Sequence, residues 1–358
     1  VLDIPGGILS KVAVVTRTHN RPLFLARVLK TVAEQTFQDY VHLIVNDAGS
    51  PEAVRAAVAQ LPAAQQSRVE VINNEVSRGR EAAVNPGLSR AGELGVTYVA
   101  VLDDDDSWEP DFLTDCVSWL DSKPDYVGVA TRTTLVYEEI NREGSAVVEL
   151  RRGPLAPDKH TVALEDILQV NWVPPVSLLF RADTLPKLTG WREDLPVLSD
   201  WDFFLRMLLL GPVGFIDSPL ANWHHRANAV GDDGNSVVVA AQDHNDFHAI
   251  IRDQALREAL TCTASPSPQP DLKTLAQPLL LAHYAKALRE ENERLTQELK
   301  ELQLQQRERN EEIVRYFDEK TERLSAQLGE VGESVLLLHE RMNSMGFKAR
   351  WRRLFHRG

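Results

Sequence analysis

Short β-branched runs alternate with amphipathic stretches through the first third of the chain. Val12–Val15, His42–Val45, Val69–Ile72 and Tyr98–Leu102 read as strands, and Leu23–Glu34, Pro51–Leu61 and Glu81–Leu94 between them carry apolar residues at helical spacing. Runs that are apolar at every position, not every second one, belong to strands buried on both faces. The pattern therefore predicts an α/β fold with a mostly parallel sheet and helices on both sides. In such a sheet ligands gather beyond the carboxyl ends of the strands, so the polar residues that follow each run are the first candidates for chemistry. Residues 1–123 form this regular half. Residues 124–260 are less regular, with hairpin-like strands, a Trp172-Val173-Pro174-Pro175 loop and a helix near Asp200–Leu210.

Residues 261–271 are rich in proline and serine and offer no apolar face, which predicts a linker. Over 272–346 the pattern changes again. Leu288, Leu295, Leu299 and Leu302, then Leu324, Leu328, Val331, Val335, Leu338, Met342 and Met345, recur at heptad-like steps amid Glu, Gln, Lys and Arg, as in a coiled coil. Polar Gln306 and Arg309 fall on that seam, and Gly329 and Gly332 weaken its later part, so a discontinuous or locally loose coil is expected. A single solvated helix is the alternative. Residues 347–358 gather basic side chains with Phe347, Trp351, Leu354 and Phe355 on one helical face, a pattern suited to a membrane surface or a docking partner. Several such tails presented together by a coil would bind far more tightly than one.

Composition narrows the function classes. A formal net charge of -13 argues against a general nucleic-acid-binding surface. Two cysteines, Cys116 and Cys262, cannot make a disulfide framework or a cysteine metal site, which fits a reducing compartment. The most apolar stretch, Phe203–Ile216, is interrupted by Arg206 and by Gly211-Pro212 and does not read as a membrane span. The first residues do not read as a secretory signal.

The strongest chemical signal is Asp103-Asp104-Asp105-Asp106 at the exit of the fourth strand. Four adjacent carboxylates repel one another unless a cation or a good donor set offsets their charge, and a hard divalent cation is the simplest remedy. An acidic turn before the Ser107-Trp108-Glu109-Pro110 segment, with Asp106 or Ser107 as helix cap, is the structural alternative.

With these residues the chain resembles a family 2 glycosyltransferase of the GT-A fold over roughly residues 11–230. Val14–Pro22 is similar to the family's first strand and nucleotide loop, and Val45–Ser50 to its Asp-x-Gly-Ser motif. Gly79, Ala83, Asn85 and Gly87 match its Asn-x-Gly helix, and Leu102–Asp106 its Asp-x-Asp site. The resemblance implies that Thr16, Thr18, Asn20, Asp47, Arg78, Gly79, Asn85, Asp103 and Asp104 bind the nucleotide, with Asp47 on the uracil imide. It implies that Asp105 and Asp103 hold a divalent Mn or Mg ion, completed by His225 or His224, the former favoured. The chain departs from the family at Val84, where an arginine is usual, so Arg78 or Arg80 would have to supply the diphosphate contact. Ser199-Asp200-Trp201-Asp202 resembles the Glu-Asp-x-Asp segment with serine in place of glutamate. Asp200 is then the expected general base, while Ser199 and Asp202 suit a capping-box-like helix start. Trp172, Trp191 and Trp201 are available to stack on sugars or to fill the core.

The activity implied is inverting, metal-dependent transfer of a sugar from a nucleotide diphosphate, UDP above all, to a glycan or lipid-linked acceptor. The expected setting is a peripheral enzyme at the cytoplasmic face of the membrane, as in bacterial surface-polysaccharide or lipopolysaccharide assembly, with a homo-oligomer formed through the coil. Two other readings compete with it. One is a non-catalytic nucleotide-sugar-binding scaffold. The other is a nucleotidyltransferase, disfavoured because Thr16–Pro22 lacks a glycine-rich phosphate loop with lysine.

Overall fold

A computed structural model describes residues 10–141, 146–226, 247, 250, 251, 253 and 272–344, with side chains in the last segment from Leu288 to Met342 and at Ser344. Contacts divide the chain into two units, Val1–Lys273 and Thr274–Gly358. The expected linker (261–271) and basic tail (347–358) lie outside the described residues.

In the first unit the strands are β1 (Val12–Thr18), β2 (Tyr40–Asp47), β3 (Val69–Asn74), β4 (Tyr98–Val101), β5 (Ser107–Trp108), β6 (Gly128–Ile140), β7 (Val147–Pro154), β8 (Leu178–Arg181) and β9 (Val213–His225). Among the described residues up to Arg226 the α-helices are α1 (Pro22–Ala33), α2 (Pro51–Val58), α3 (Ala63–Gln66), α4 (Asn85–Leu94), α5 (Phe112–Asp121), α6 (Leu164–Ile167), α7 (Leu185–Leu188) and α8 (Ser199–Leu210). One sheet takes all of these described strands, in the order β3-β2-β1-β4-β8-β6-β9-β5, with β7 on the far part of β6.

The expected parallel arrangement holds for β3-β2-β1-β4. The irregular second half makes the sheet mixed: β8 runs antiparallel to both β4 and β6, while β9 lies parallel to β6. Successive residues of the central strands point to opposite faces. Val15, Val45 and Val101 pack with Leu88 of α4 and Phe203, Phe204 and Met207 of α8. Val14, Ile44 and Ala100 pack on the other side with Leu25, Val28 and Leu29 of α1 and Phe112 and Val117 of α5. Burial on both faces is why these strands are apolar throughout.

Gly87 has a packing reason. A Cβ there would stand 2.3 Å from Val15 Cγ1 and 3.0 Å from Val45 Cγ2, so only glycine lets α4 lie this close to the sheet. Gly79 is needed for a different reason, its φ of +81, in the loop that leads to α4.

The described part of the second unit is helical: one helix, Leu272–Ser344, begins two residues before the boundary and runs unbroken through Gly329 and Gly332. Each glycine costs about 1 kcal/mol against alanine, an amount that side-chain pairs elsewhere on a helix can offset. Arg294 with Glu291 and Glu298, and Arg307 with Glu311, are such pairs. The described heptad residues from Leu288 to Met342 are 50–71% exposed, so a single copy of the chain leaves the seam uncovered. No helix among the described residues is long and apolar enough to cross a membrane.

Candidate active site

The carboxyl ends of β1, β2 and β4 and the first turn of α8 surround a cavity of about 600 Å³. Thr18, Asp47, the four aspartates 103–106 and Asp200 all line it, so the acidic cluster and the expected base face one space.

Arginines offset the acidic cluster. Arg17 forks onto Asp103, with Nε donating at 2.8 Å and a terminal nitrogen at 3.1 Å. Arg21 donates to Asp104 at 2.6 Å and to Asp105 at 2.9 Å. Arg226, fully buried, donates to Asp105 and, at 2.8 Å, to Glu138. Arg27 donates to the carbonyl of Asp105 at 2.7 Å and forks onto Glu138 at 3.0 and 2.9 Å. Of the two ways to offset the charge, a cation or a good donor set, the chain itself supplies the second, which leaves room for the first.

These surroundings divide the four carboxyls. Burial pushes Asp104 up to about 7 despite Arg21, with Asp105 adding to the rise. Burial acts in the same direction on Asp105, but Arg21 and Arg226 hold it well below the usual carboxylate range. Asp106 is pushed well up by burial and then by Asp105 and Asp103, although it accepts the His224 N–H at 2.9 Å. Oxygens of Asp103, Asp105 and Asp106 lie within 4.8 Å of one another, a donor set of the kind a hard divalent cation takes. Asp104 turns away to the Thr18 hydroxyl, 2.8 Å, and to Arg21.

Asp200 sits in the first turn of α8, after Leu198 in the left-handed region at φ 66. Burial raises its pKa to about 6, opposed by the Trp201 N–H and Arg17 and supported by the charge of Asp103. The Asn171 amide lies 3.5 Å from its carboxylate. The expected capping box does not form: the Ser199 hydroxyl donates to the Arg192 carbonyl at 2.8 Å, and Asp202 accepts from Arg206 at 2.8 Å. The Ser199 N–H is met from elsewhere, by the Glu81 carboxylate at 3.1 Å.

Comparison with known proteins agrees with this geometry. Residues 13–159 match the family described as "Glycosyl transferase family 2". Residues 13–159 thus carry a family 2 glycosyltransferase domain. Among relatives of this glycosyltransferase, the uncharacterized glycosyltransferase YwdF of Bacillus subtilis is 28% identical over 199 residues, 55% of this chain and 67% of that protein. The putative glycosyltransferase EpsE of the same organism is 24% identical over 275 residues, 76% of this chain and 89% of that one. The succinoglycan biosynthesis protein ExoW of Rhizobium meliloti is 34% identical over 106 residues, 29% of this chain and 32% of that protein. The fold is also that of S. aureus TarS 1-349, solved in complex with UDP-GlcNAc, with a TM-score of 0.51 at 17% identity over 71% of this chain and 68% of that one.

The other site residues of this glycosyltransferase fall into two groups. Asp47 faces the cavity while accepting from Asn74 at 2.8 Å, Ser77 at 2.6 Å and the Arg78 N–H at 2.9 Å. Although burial opposes its charge, those donors hold Asp47 below its ordinary value, so the same carboxylate organises the loop leading to Gly79. Arg80 lines the cavity, whereas the Arg78 side chain points to Glu193 at 3.7 Å and Val84 is buried. Thr16 is buried against His42 at 2.9 Å and does not line the cavity. Asn20 accepts the Ser50 N–H at 3.0 Å, which ties together the loops after β1 and β2. Asn85 clasps Trp191 through both backbone groups, at 2.9 and 2.8 Å.

Neither histidine joins the acidic trio. Both ring nitrogens of His224 are engaged, with Ser107 at 2.9 Å and Glu138 at 2.8 Å. His225 packs edge-on to Trp223, 4.3 Å between ring centres. Trp172, Trp191 and Trp201 are buried, and Trp201 donates to the Ile167 carbonyl at 2.7 Å.

Sequence reasoning missed Arg17, Arg21, Arg27, Glu81, Glu138 and Arg226. Arg17 and Arg21 had a usable signal, because they follow the strand expected beside the acidic run. Glu138 and Arg226 come from the irregular half and carried none.

Proposed function

We propose that this glycosyltransferase moves a hexosyl group from a nucleotide diphosphate sugar, with uridine as nucleoside, to a hydroxyl of a glycan or lipid-linked acceptor, with inversion. The observation that carries this reading is the shared cavity: Asp200 on one wall and Asp103–Asp106 on another. Asp47 at the end of β2 suits an imide N–H. TarS was solved with UDP-GlcNAc, and ExoW is a succinoglycan biosynthesis protein, which supports a UDP-sugar and a surface polysaccharide.

Asp200 removes the acceptor hydroxyl proton as that oxygen attacks the anomeric carbon, while the bond to the diphosphate breaks. Its raised pKa makes it a stronger base than an exposed aspartate and leaves it ionised near neutrality. Arg17, Arg21 and Arg80 bring positive charge to the wall where the leaving diphosphate is released. Asp103 and Asp105 would hold a divalent cation, Mn or Mg, whose Lewis acidity supplies further stabilisation of the leaving group. The cavity aligns the two substrates, which removes much of the entropic barrier.

The uncovered seam of the long helix supports assembly through a coiled coil of identical chains. With the basic 347–358 segment, such an assembly would work at the cytoplasmic face of a membrane.

The test is a panel of nucleotide sugars assayed for binding and turnover with and without Mn. Metal-dependent UDP-sugar binding, with release of UDP that depends on Asp200, is the expected result. Binding with no turnover of any donor, even by slow hydrolysis, would favour the scaffold reading.

A further inference from the structure

Glu81 is a buried acid in the wall of the cavity, 8% exposed, to which neither donor binding nor proton transfer gives a part. Its position is nevertheless specific. One carboxylate oxygen accepts the N–H of Ser199, the first residue of α8, at 3.1 Å. The other stands 3.9 Å from Arg17, whose fork grips Asp103. A continuous chain, Asp103 to Arg17 to Glu81 to the start of α8, thus joins the donor side of the cavity to the helix that carries Asp200.

The local chemistry explains why this helix needs help from so far away. The first N–H groups of a helix have no partner within it. Leu198 has no polar side chain to cap them, and the Ser199 hydroxyl is committed to Arg192. Glu81 supplies the acceptor, and its negative charge favours the helix end. A cap serving stability alone could come from a neighbouring residue. This one comes from the donor-side loop and sits beside Arg17, the same cation that holds Asp103. Burial raises the Glu81 pKa to about 7 against the pull of Arg17, so the group is not placed where an ordinary surface cap would be.

We propose that Glu81 is a positioning residue for Asp200: it fixes the first turn of α8 and ties that turn, through Arg17, to the donor carboxylate Asp103. The proposal rests on Asp200 being the base. Glu81 need not touch substrate; its effect is on where Asp200 stands relative to the anomeric carbon, and misplacement of a base by about 1 Å can cost on the order of a hundredfold in rate.

The experiment compares Glu81→Gln, Glu81→Ala, Asp200→Asn and the double variant Glu81→Ala/Asp200→Asn. Three readouts are used: UDP binding by calorimetry in Mn, thermal midpoint, and UDP release from a panel of UDP-hexoses with water standing in for the acceptor. In that assay the sugar–diphosphate bond breaks, a water oxygen bonds to the anomeric carbon and its proton passes to Asp200. Glutamine keeps an oxygen for the Ser199 N–H but has no charge for Arg17; alanine has neither. Expected are UDP affinities within about threefold of the parent for both variants, with kcat lowered about tenfold in Glu81→Gln and about a hundredfold in Glu81→Ala. The double variant should be no slower than Asp200→Asn, since Glu81 acts through Asp200. Unchanged kcat in both Glu81 variants, with only the thermal midpoint lowered, would reduce Glu81 to a structural cap and overturn the proposal. So would a further loss in the double variant. Full activity of Asp200→Asn would instead overturn the assignment of the base.

Discussion

Arg226, wholly buried just after β9, closes on the carboxylate of Asp105 and thereby links the less regular second half of the fold to the acidic run after β4. Its other arm reaches Glu138 at 2.8 Å. Removing it as Arg226→Met leaves two acids short of a buried partner, and breaking such an ion pair costs about 3–5 kcal/mol. Denaturant unfolding should show that loss. Added Mn should restore part of it if a cation can take over the charge on Asp105; no effect of Mn on the variant would count against cation binding there.

Asp105 itself provides the complementary experiment. Asp105→Asn should weaken UDP binding in Mn by tenfold or so, while binding measured without metal changes less. Equal affinities with and without Mn in the parent protein would remove the metal from the proposal.

Asp200→Asn should lower turnover by about 10²–10⁴ and leave UDP affinity nearly as it was. Because burial raises the Asp200 pKa to about 6, the parent enzyme should lose activity as pH falls through that value, roughly tenfold per unit. The effect on stability runs the other way. The folded state takes up this proton before the unfolded state does, so this one group favours folding increasingly as pH drops from about 6 toward the ordinary aspartate value. A pH–rate profile flat from pH 5 to 8 would contradict the role.

Gly87→Ala sets two effects against each other. Alanine gains about 1 kcal/mol of helix propensity, but its methyl would lie 2.3 Å from Val15 Cγ1. Overpacking of that kind costs about 1–3 kcal/mol, so a net lower thermal midpoint is expected. A rise would show that α4 can move off the sheet at little cost.

The seam of the long helix can be tested by Leu324→Ser with Leu328→Ser, both exposed in a single chain. Sedimentation should show a multimer for the parent and a smaller species for the variant, with UDP binding unaffected. A parent protein that sediments as one chain would end the coiled-coil proposal.

The strand–helix order of the first half was legible because Val12–Val15, Tyr98–Val101 and their neighbours are buried on two faces, which leaves uninterrupted apolar runs. The motif residues Asp47, Asp103–Asp106 and Asp200 were legible because each follows such a run or opens a helix. Thr16 and Asn85 matched a motif yet spend their side chains inside the fold, on His42 and Trp191, and a pattern in one dimension does not distinguish those fates. The partners of the histidines were hidden for a similar reason. Alternation places His224 and His225 on opposite sides of β9, but it says nothing of Glu138, which claims His224 from the neighbouring strand. Contacts between residues far apart in the chain, such as Glu81 with Ser199, depend on the order of strands, and the position of β8 between β4 and β6 was not deducible.

That placement of β8 has a practical outcome for anyone trimming the protein. A fragment ending near residue 123 would strip β4 of its antiparallel neighbour, leave a bare apolar border open to self-association, and discard Glu138, Asp200 and Arg226 together. The two halves are thus inseparable in expression, and shortening from the carboxyl end should spare both Arg226 and the core residue Ile251.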